Sequence, residues 1–293
     1  MTVTPGSGRD YTPRWPVDPM VREEGVVYLC PFGGDWAIEV GSLLDRAGLP
    51  AALRERPRIV LKPNLVEAAP PPITTPVALV AALVDYLRRV HPAAEIIVAE
   101  GCGSKNYDTE HCFATLGYTR MAAARGIELL DLNHAPLTRL ARPGCRRWPE
   151  MELPSLLFDA FLISLPVLKA HTLAKVTLTM KNMMGVAPPS RYQQGGHWKK
   201  AAFHREIQAA VADLNRYRCP DFTLLDATIG LSQSHLGGPV CDPPPGLLAA
   251  AHDPVAIDAF GAGLLGRDWR EIGHIRRLHG ELGRAEPLNL IRL

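Results

Sequence analysis

Three short strings hold most of the side chains able to do chemistry: Lys62-Pro63-Asn64, Lys169-Ala170-His171 and Lys181-Asn182. An ammonium group placed where water is scarce binds carboxylate or phosphate, and a histidine exchanges its proton near neutrality. Lys62 and Lys169 therefore read as anion clamps, Lys181 as a third cation, and Asn64 and Asn182 as groups that orient the ligand. Lys169 and His171, with Glu100 or Asp226, are the candidate acid–base set, suited to proton abstraction next to a carbonyl. A plainer reading stands beside each. Lys62 lies between Leu61 and Pro63, where a lysine can snorkel at a sheet edge, and a lone histidine is often structural. The run Glu100-Gly101-Cys102-Gly103-Ser104 is similar to a strand-to-loop phosphate cradle, which makes Ser104 a further ligand-binding candidate. It matches neither G-x-G-x-x-G nor a P-loop. Cys102 is the one cysteine placed to act as a nucleophile or cluster ligand, or it simply fits a tight turn. A divalent metal acting as Lewis acid would fall to His171, His204 and Asp226, although no pair of them has close ligand spacing.

The elements that must position these groups follow from apolar patterning. Residues 158–165, 58–61, 96–99 and 222–226 are short apolar runs of the kind buried strands show, and each ends in a polar cluster. In a parallel sheet such ends converge on one edge, the usual ligand crevice. Helices are expected over residues 77–90, where Leu79, Val80, Leu83, Val84 and Leu87 share a face, and over 36–47, 112–125, 202–217, 255–265 and 269–279. Leu173, Val176, Met180, Met183 and Met184 also fall at helical spacing. Strands alternating with helices predict an α/β fold: a mostly parallel sheet with helices on both faces, with two sub-lobes around one crevice as a variant. Residues 1–22 read as a flexible arm and 23–293 as a single α/β domain. The stretch 132–155 reads as irregular, with a knot of Arg139, Arg142, Arg146 and Arg147, and is the best internal boundary.

Composition bounds the partners. Apolar residues make up 47% and charged residues 21%, with a formal charge of +2, too small to argue for nucleic acid or an anionic membrane. Aromatic residues are only 6%, which gives no stacking platform for single strands. The expected partner is a small anionic molecule. Six scattered cysteines without a C-x-x-C pair argue against an iron–sulfur cluster and a zinc ribbon. With neither an apolar leader nor a long apolar run, the expectation is a reduced cytoplasmic protein.

The strings Lys62-Pro63-Asn64-Leu65, Leu165-Pro166-Val167-Leu168-Lys169-Ala170-His171 and Lys181-Asn182-Met183-Met184-Gly185 together resemble the family catalogued as domain of unknown function 362. Its members often read K-P-N-x, then L-P-K-x-K-T-H, then K-N-x-x-G. Val167 and Ala170 depart from that pattern, removing one positive charge and one hydroxyl. His204, Asp226, Gly237-Gly238-Pro239 and the run from His252 to Asp258 are similar to the family's C-terminal part, so the resemblance spans roughly residues 26–266. Many members carry an added iron–sulfur ferredoxin module, for which this chain has no cysteine run. The resemblance thus implies a free-standing catalytic or ligand-binding domain. An enzyme acting on a small anionic metabolite is the first expectation. A cluster- or metal-dependent redox accessory protein and a non-catalytic anion sensor are the rivals.

Overall fold

The computed structural model describes residues 23–293, so the arm expected over residues 1–22 lies outside the described residues. Twelve strands are present among them: β1 (Val26–Pro31), β2 (Arg58–Pro63), β3 (Glu95–Glu100), β4 (Glu128–Asp131), β5 (Leu137–Ala141), β6 (Glu150–Pro154), β7 (Phe161–Leu165), β8 (Val167–His171), β9 (Lys175–Thr177), β10 (Phe222–Leu231), β11 (Leu247–Ala251) and β12 (Asn289–Arg292). The helices are α1 (Trp36–Arg46), α2 (Leu49–Leu53), α3 (Val77–Val90), α4 (Thr109–Thr115), α5 (Tyr118–Arg125), α6 (Thr179–Asn182), α7 (Pro189–Tyr192), α8 (Ile207–Tyr217), α9 (Pro254–Leu264) and α10 (Gly273–Leu278). None is long and apolar enough to cross a membrane.

The main sheet runs β12-β1-β11-β10-β7-β2-β3-β4. From β10 to β4 every neighbour is parallel, and β11 alone runs antiparallel, to both β1 and β10. β2 and β7 are buried along nearly their whole length, which is why they read as continuous apolar runs rather than alternating ones. Successive residues still point to opposite faces. Ile59 and Leu61 join one core beneath α1, α3, α4 and α5, while Val60 and Leu162 join the other beneath α8, α9 and α10. The fold is therefore α/β, with a mostly parallel sheet and helices on both faces.

Four expectations are corrected. Residues 112–125 are not one helix: Gly117, at φ 84°, breaks it into α4 and α5. The stretch 132–155 contains the antiparallel pair β5–β6, in register from Leu137↔Pro154 to Ala141↔Glu150. The segment with helical spacing after His171 is mostly extended. β10 continues beyond Asp226 and offers β8 a parallel partner, and β9 folds back on β8 through Lys175 at φ 71°, leaving only one helical turn in α6. Branched Thr172, Val176 and Thr177 suit that extended path. Finally, Gly273 separates a short turn at Trp269–Glu271 from α10.

Candidate functional site

The C-terminal ends of β2, β3 and β7 stand side by side, and the polar residues just beyond them form a connected set. Lys62 Nζ donates to both oxygens of Glu100, at 2.9 and 2.8 Å, and to Asn182 Oδ1 at 3.3 Å. Glu100 also accepts from the backbone N–H of Leu65 and Gly101 (3.2 and 2.8 Å), so its carboxylate is saturated. Asn182 Oδ1 accepts in addition from Asn64 Nδ2 at 3.0 Å, and Asn64 Oδ1 accepts from Lys169 Nζ at 2.7 Å. Lys169 also donates to Ile73 O at 2.7 Å. The set runs unbroken from Glu100 through Lys62, Asn182 and Asn64 to Lys169, and all five side chains are buried. Such a network is favourable only when every member has partners. Burial pushes the Lys62 amine down although Glu100 opposes it. Lys169 is driven well below the usual lysine range, by burial first and then by Lys181.

A cavity of about 420 Å³ opens over this set. Asn64, Glu100, Lys169 and Asn182 form its floor. Lys181, Lys200, His171, His197, His204 and His235 stand around it. Lys181 is placed by the turn that carries it: Thr179 N and Met180 N donate to the two Asp258 oxygens at 2.7 and 3.1 Å, holding α6 against α9. Its ammonium has no hydrogen bond or ion pair among the described residues, and burial lowers it to about 8. Lys200 contacts Asn133 Oδ1 and Ala187 O and is lowered to about 7, again chiefly by burial.

The histidine geometry is informative. His171 Nδ1 accepts from Leu173 N and Ala174 N, both at 3.1 Å. A nitrogen that accepts two N–H groups carries no proton, so the neutral ring bears its hydrogen on Nε2. Protonating Nδ1 would break both bonds. That constraint acts alongside burial and the neighbouring Lys181, which push His171 far below the usual histidine range. Its ring stacks on His235 at 4.0 Å. His235 is lowered to about 3 by burial and by the same lysines, and its buried Nδ1 has no partner among the described residues. His204, partly exposed at the cavity wall, is lowered by burial and by Lys181.

Four expected roles do not fit this geometry. Asp226 does not line the cavity. β10 carries it inward, where its Oδ1 accepts from Thr228 N and Oγ1 at 2.9 and 2.7 Å, and burial raises its pKa. A metal set of His171, His204 and Asp226 is accordingly not assembled. Among the described residues, the group of three such ligands whose donor atoms all lie within 4.8 Å is Asp108, Asp131 and His134. Ser104 is buried off the cavity wall, accepting from Asn106 N at 3.3 Å and bridging backbone to Trp198. Cys102 also points away, although Gly101 and Gly103 on either side line the cavity. Its sulfur lies 3.5 Å from Lys199 Nζ and is lowered to about 7, by a hydrogen bond from Cys112 first and by Lys199 after burial is set against it. Lys200 and His235 were missed as site residues because each comes from a loop whose return to the sheet edge leaves no periodic trace. The only local hint was the polar string His197-Trp198-Lys199-Lys200.

The family described as domain of unknown function (DUF362) matches residues 59–263. The chain belongs to this family. The motif strings that resembled it, and every cavity residue named above, fall within the matched span of this DUF362 chain. Among curated proteins, none matches it. Among solved structures, it is similar to the lactate racemase apoprotein from Thermoanaerobacterium thermosaccharolyticum at 14% identity and a TM-score of 0.45. That likeness covers 87% of the DUF362 chain and 59% of the racemase chain, so this chain spans about 59% of that protein's length.

Proposed function

We propose that this protein is an enzyme acting on a small carboxylate- or phosphate-bearing metabolite, with lysine and histidine side chains performing acid–base chemistry. The observation that carries the reading is Lys181, a cation without a counter-ion among the described residues, in a cavity where His171 and His235 are held neutral. An entering anion supplies the missing partner. Lys181 binds its charged end. His171, with its hydrogen locked on Nε2, donates to the oxygen on which negative charge develops, as a neutral imidazole can without giving up its proton. Glu100 is saturated by Lys62 and backbone N–H groups, so it sets the floor of the cavity rather than moving protons. The base is His204. His235, at about 3, is too weak, whereas His204 is depressed in part by the charge of Lys181. A bound anion offsets that charge and restores basicity just when substrate is present. The reaction is proton abstraction next to a carbonyl.

The test uses 2-hydroxy and 2-keto acids in deuterium oxide, following loss of the C2 proton signal of the hydroxy acids and of the C3 proton signal of the keto acids. Lys181→Met should weaken binding at least about tenfold, since a hydrogen bond to a charged group contributes about 1.5–3 kcal/mol. His204→Ala should slow exchange about 10²–10⁴-fold with little change in affinity. Wild-type affinity in Lys181→Met, or full exchange in His204→Ala, would remove the assignment. Ligand binding with no exchange in any substrate would leave an anion sensor.

A further inference from the structure

A second cavity, of about 750 Å³, lies on the other side of the chain segment that supplies Lys200 and His204. It is built from the β5–β6 connection, α8 and α10, and it takes up the arginine knot that the primary site leaves unused. Arg142, Arg146, Arg147, Arg216 and Arg277 line it, against the carboxylates of Glu206, Asp213 and Glu281. Two of the arginines are engaged. Arg216 is held by Glu281 through two bonds of 2.7 Å and by Asp213 at 2.7 Å. Arg147 donates to Ala202 O and Arg205 O and lies 4.0 Å above the Trp148 ring. The other three are not engaged in this way: the guanidinium groups of Arg142, Arg146 and Arg277 make no hydrogen bond or ion pair among the described residues, and Arg142 rests 5.7 Å over Tyr217.

The loop that presents Arg142 and Arg146 is preorganised. Tyr217 Oη accepts from Arg142 N and donates to Trp148 O, at 3.0 and 2.7 Å. Asp213 accepts from Arg147 N and Trp148 N, at 2.8 and 3.1 Å. Asp213 and Glu281 are already paired with Arg216, which leaves Glu206 as the one lining carboxylate outside that pairing, against three remaining forks. Planar guanidinium groups that line one cavity and hold no carboxylate in an ion pair suit phosphate oxygens, which they can grip two at a time. No lysine lines the cavity. We infer that this is a binding site for a small phosphate-bearing ligand, separate from the primary cavity. Arg147 ties the wall of this cavity to the chain segment bearing His204 through Ala202 O and Arg205 O.

Isothermal titration of the full chain with inorganic diphosphate at low salt tests the site. Saturable binding is expected. Arg142→Ala combined with Arg277→Ala, made in the Lys181→Met background so that the primary cavity contributes no anion binding, should weaken it at least about tenfold relative to Lys181→Met alone. Arg146→Ala serves as a second, single-site variant, and matched melting curves establish that each variant is folded. No saturable heat at millimolar diphosphate would overturn the inference. So would binding that survives the arginine variants or that disappears in Lys181→Met. Preference for a polyglutamate peptide over diphosphate would overturn it in favour of a protein partner.

Discussion

A lysine without a counter-ion makes ligand binding depend on pH in a definite direction. Burial brings Lys181 from 10.5 to about 8, so its charge is lost well before that of a free lysine. Anion affinity should fall as pH rises through about 8, and binding near that pH should take up a proton, seen as an enthalpy that varies with the buffer. His171 and His235 are too strongly depressed to add a second inflection between about pH 5 and 7. An affinity that falls as pH rises across that window would contradict the assignment of His171 as a fixed donor. Stability without ligand moves the opposite way. Between about 8 and 10.5 the unfolded chain holds the Lys181 proton and the folded chain does not, so this group's contribution becomes more favourable as pH rises through that window. Lys62, Lys169 and Asn182 could be picked out in the sequence because each follows directly on an apolar run or motif string. Asp226 was misread for a local reason. Its strand continues to Leu231, and Thr228, two residues on, takes up the carboxylate. The tautomer of His171 could not be read at all, since it depends on the backbone N–H groups of a turn at Leu173 and Ala174.

At the scale of elements, the single helical turn α6 is too short to be stable by itself, yet it carries both Lys181 and Asn182. Asp258 holds its leading N–H groups from α9. Replacing Asp258 with Asn retains the shape but leaves one buried N–H without an acceptor. The expected cost is about 1–3 kcal/mol of stability, measured by thermal or urea unfolding, together with weaker anion binding because Lys181 is no longer held in place. Unchanged affinity with lowered stability would assign Asp258 a structural part only. The strands of the parallel core were legible because burial on both faces leaves an uninterrupted apolar run. The region after His171 was not. Its helical spacing is real, but β8, itself laid alongside β10, supplies β9 with a hydrogen-bonding partner that no local pattern announces, and pairing with it outweighs the helix. The β5–β6 pair was hidden because alternation is weak in Leu137–Ala141, where two of the five residues are exposed.

Across the whole molecule, one carboxylate ties distant parts of the chain together. Asp253 accepts from Val255 N and Ala256 N at the start of α9 (2.8 and 2.9 Å), from Gly25 N at 2.9 Å just before β1, and from Arg284 N at 2.7 Å on the way to β12. Gly283 passes so close that a Cβ there would sit 1.8 Å from Asp253 Oδ1. Asp253→Ala should therefore lower stability by about 3 kcal/mol or more, as several charge-assisted bonds and a helix cap go together. Amide exchange in Asn289–Arg292 should rise with it, and unchanged exchange there would show that β12 is anchored elsewhere. The sheet order has a further consequence, for the order of assembly. Among the described residues β1 pairs only with β11 and β12, so its partners are Leu247–Ala251 and Asn289–Arg292. During synthesis β1 leaves the ribosome long before either partner exists. The block from β2 to β10 can associate meanwhile, but β1 must wait as an unpaired apolar strand. Closure of that edge belongs to the last stage of folding, and during that interval the nascent chain is most exposed to aggregation.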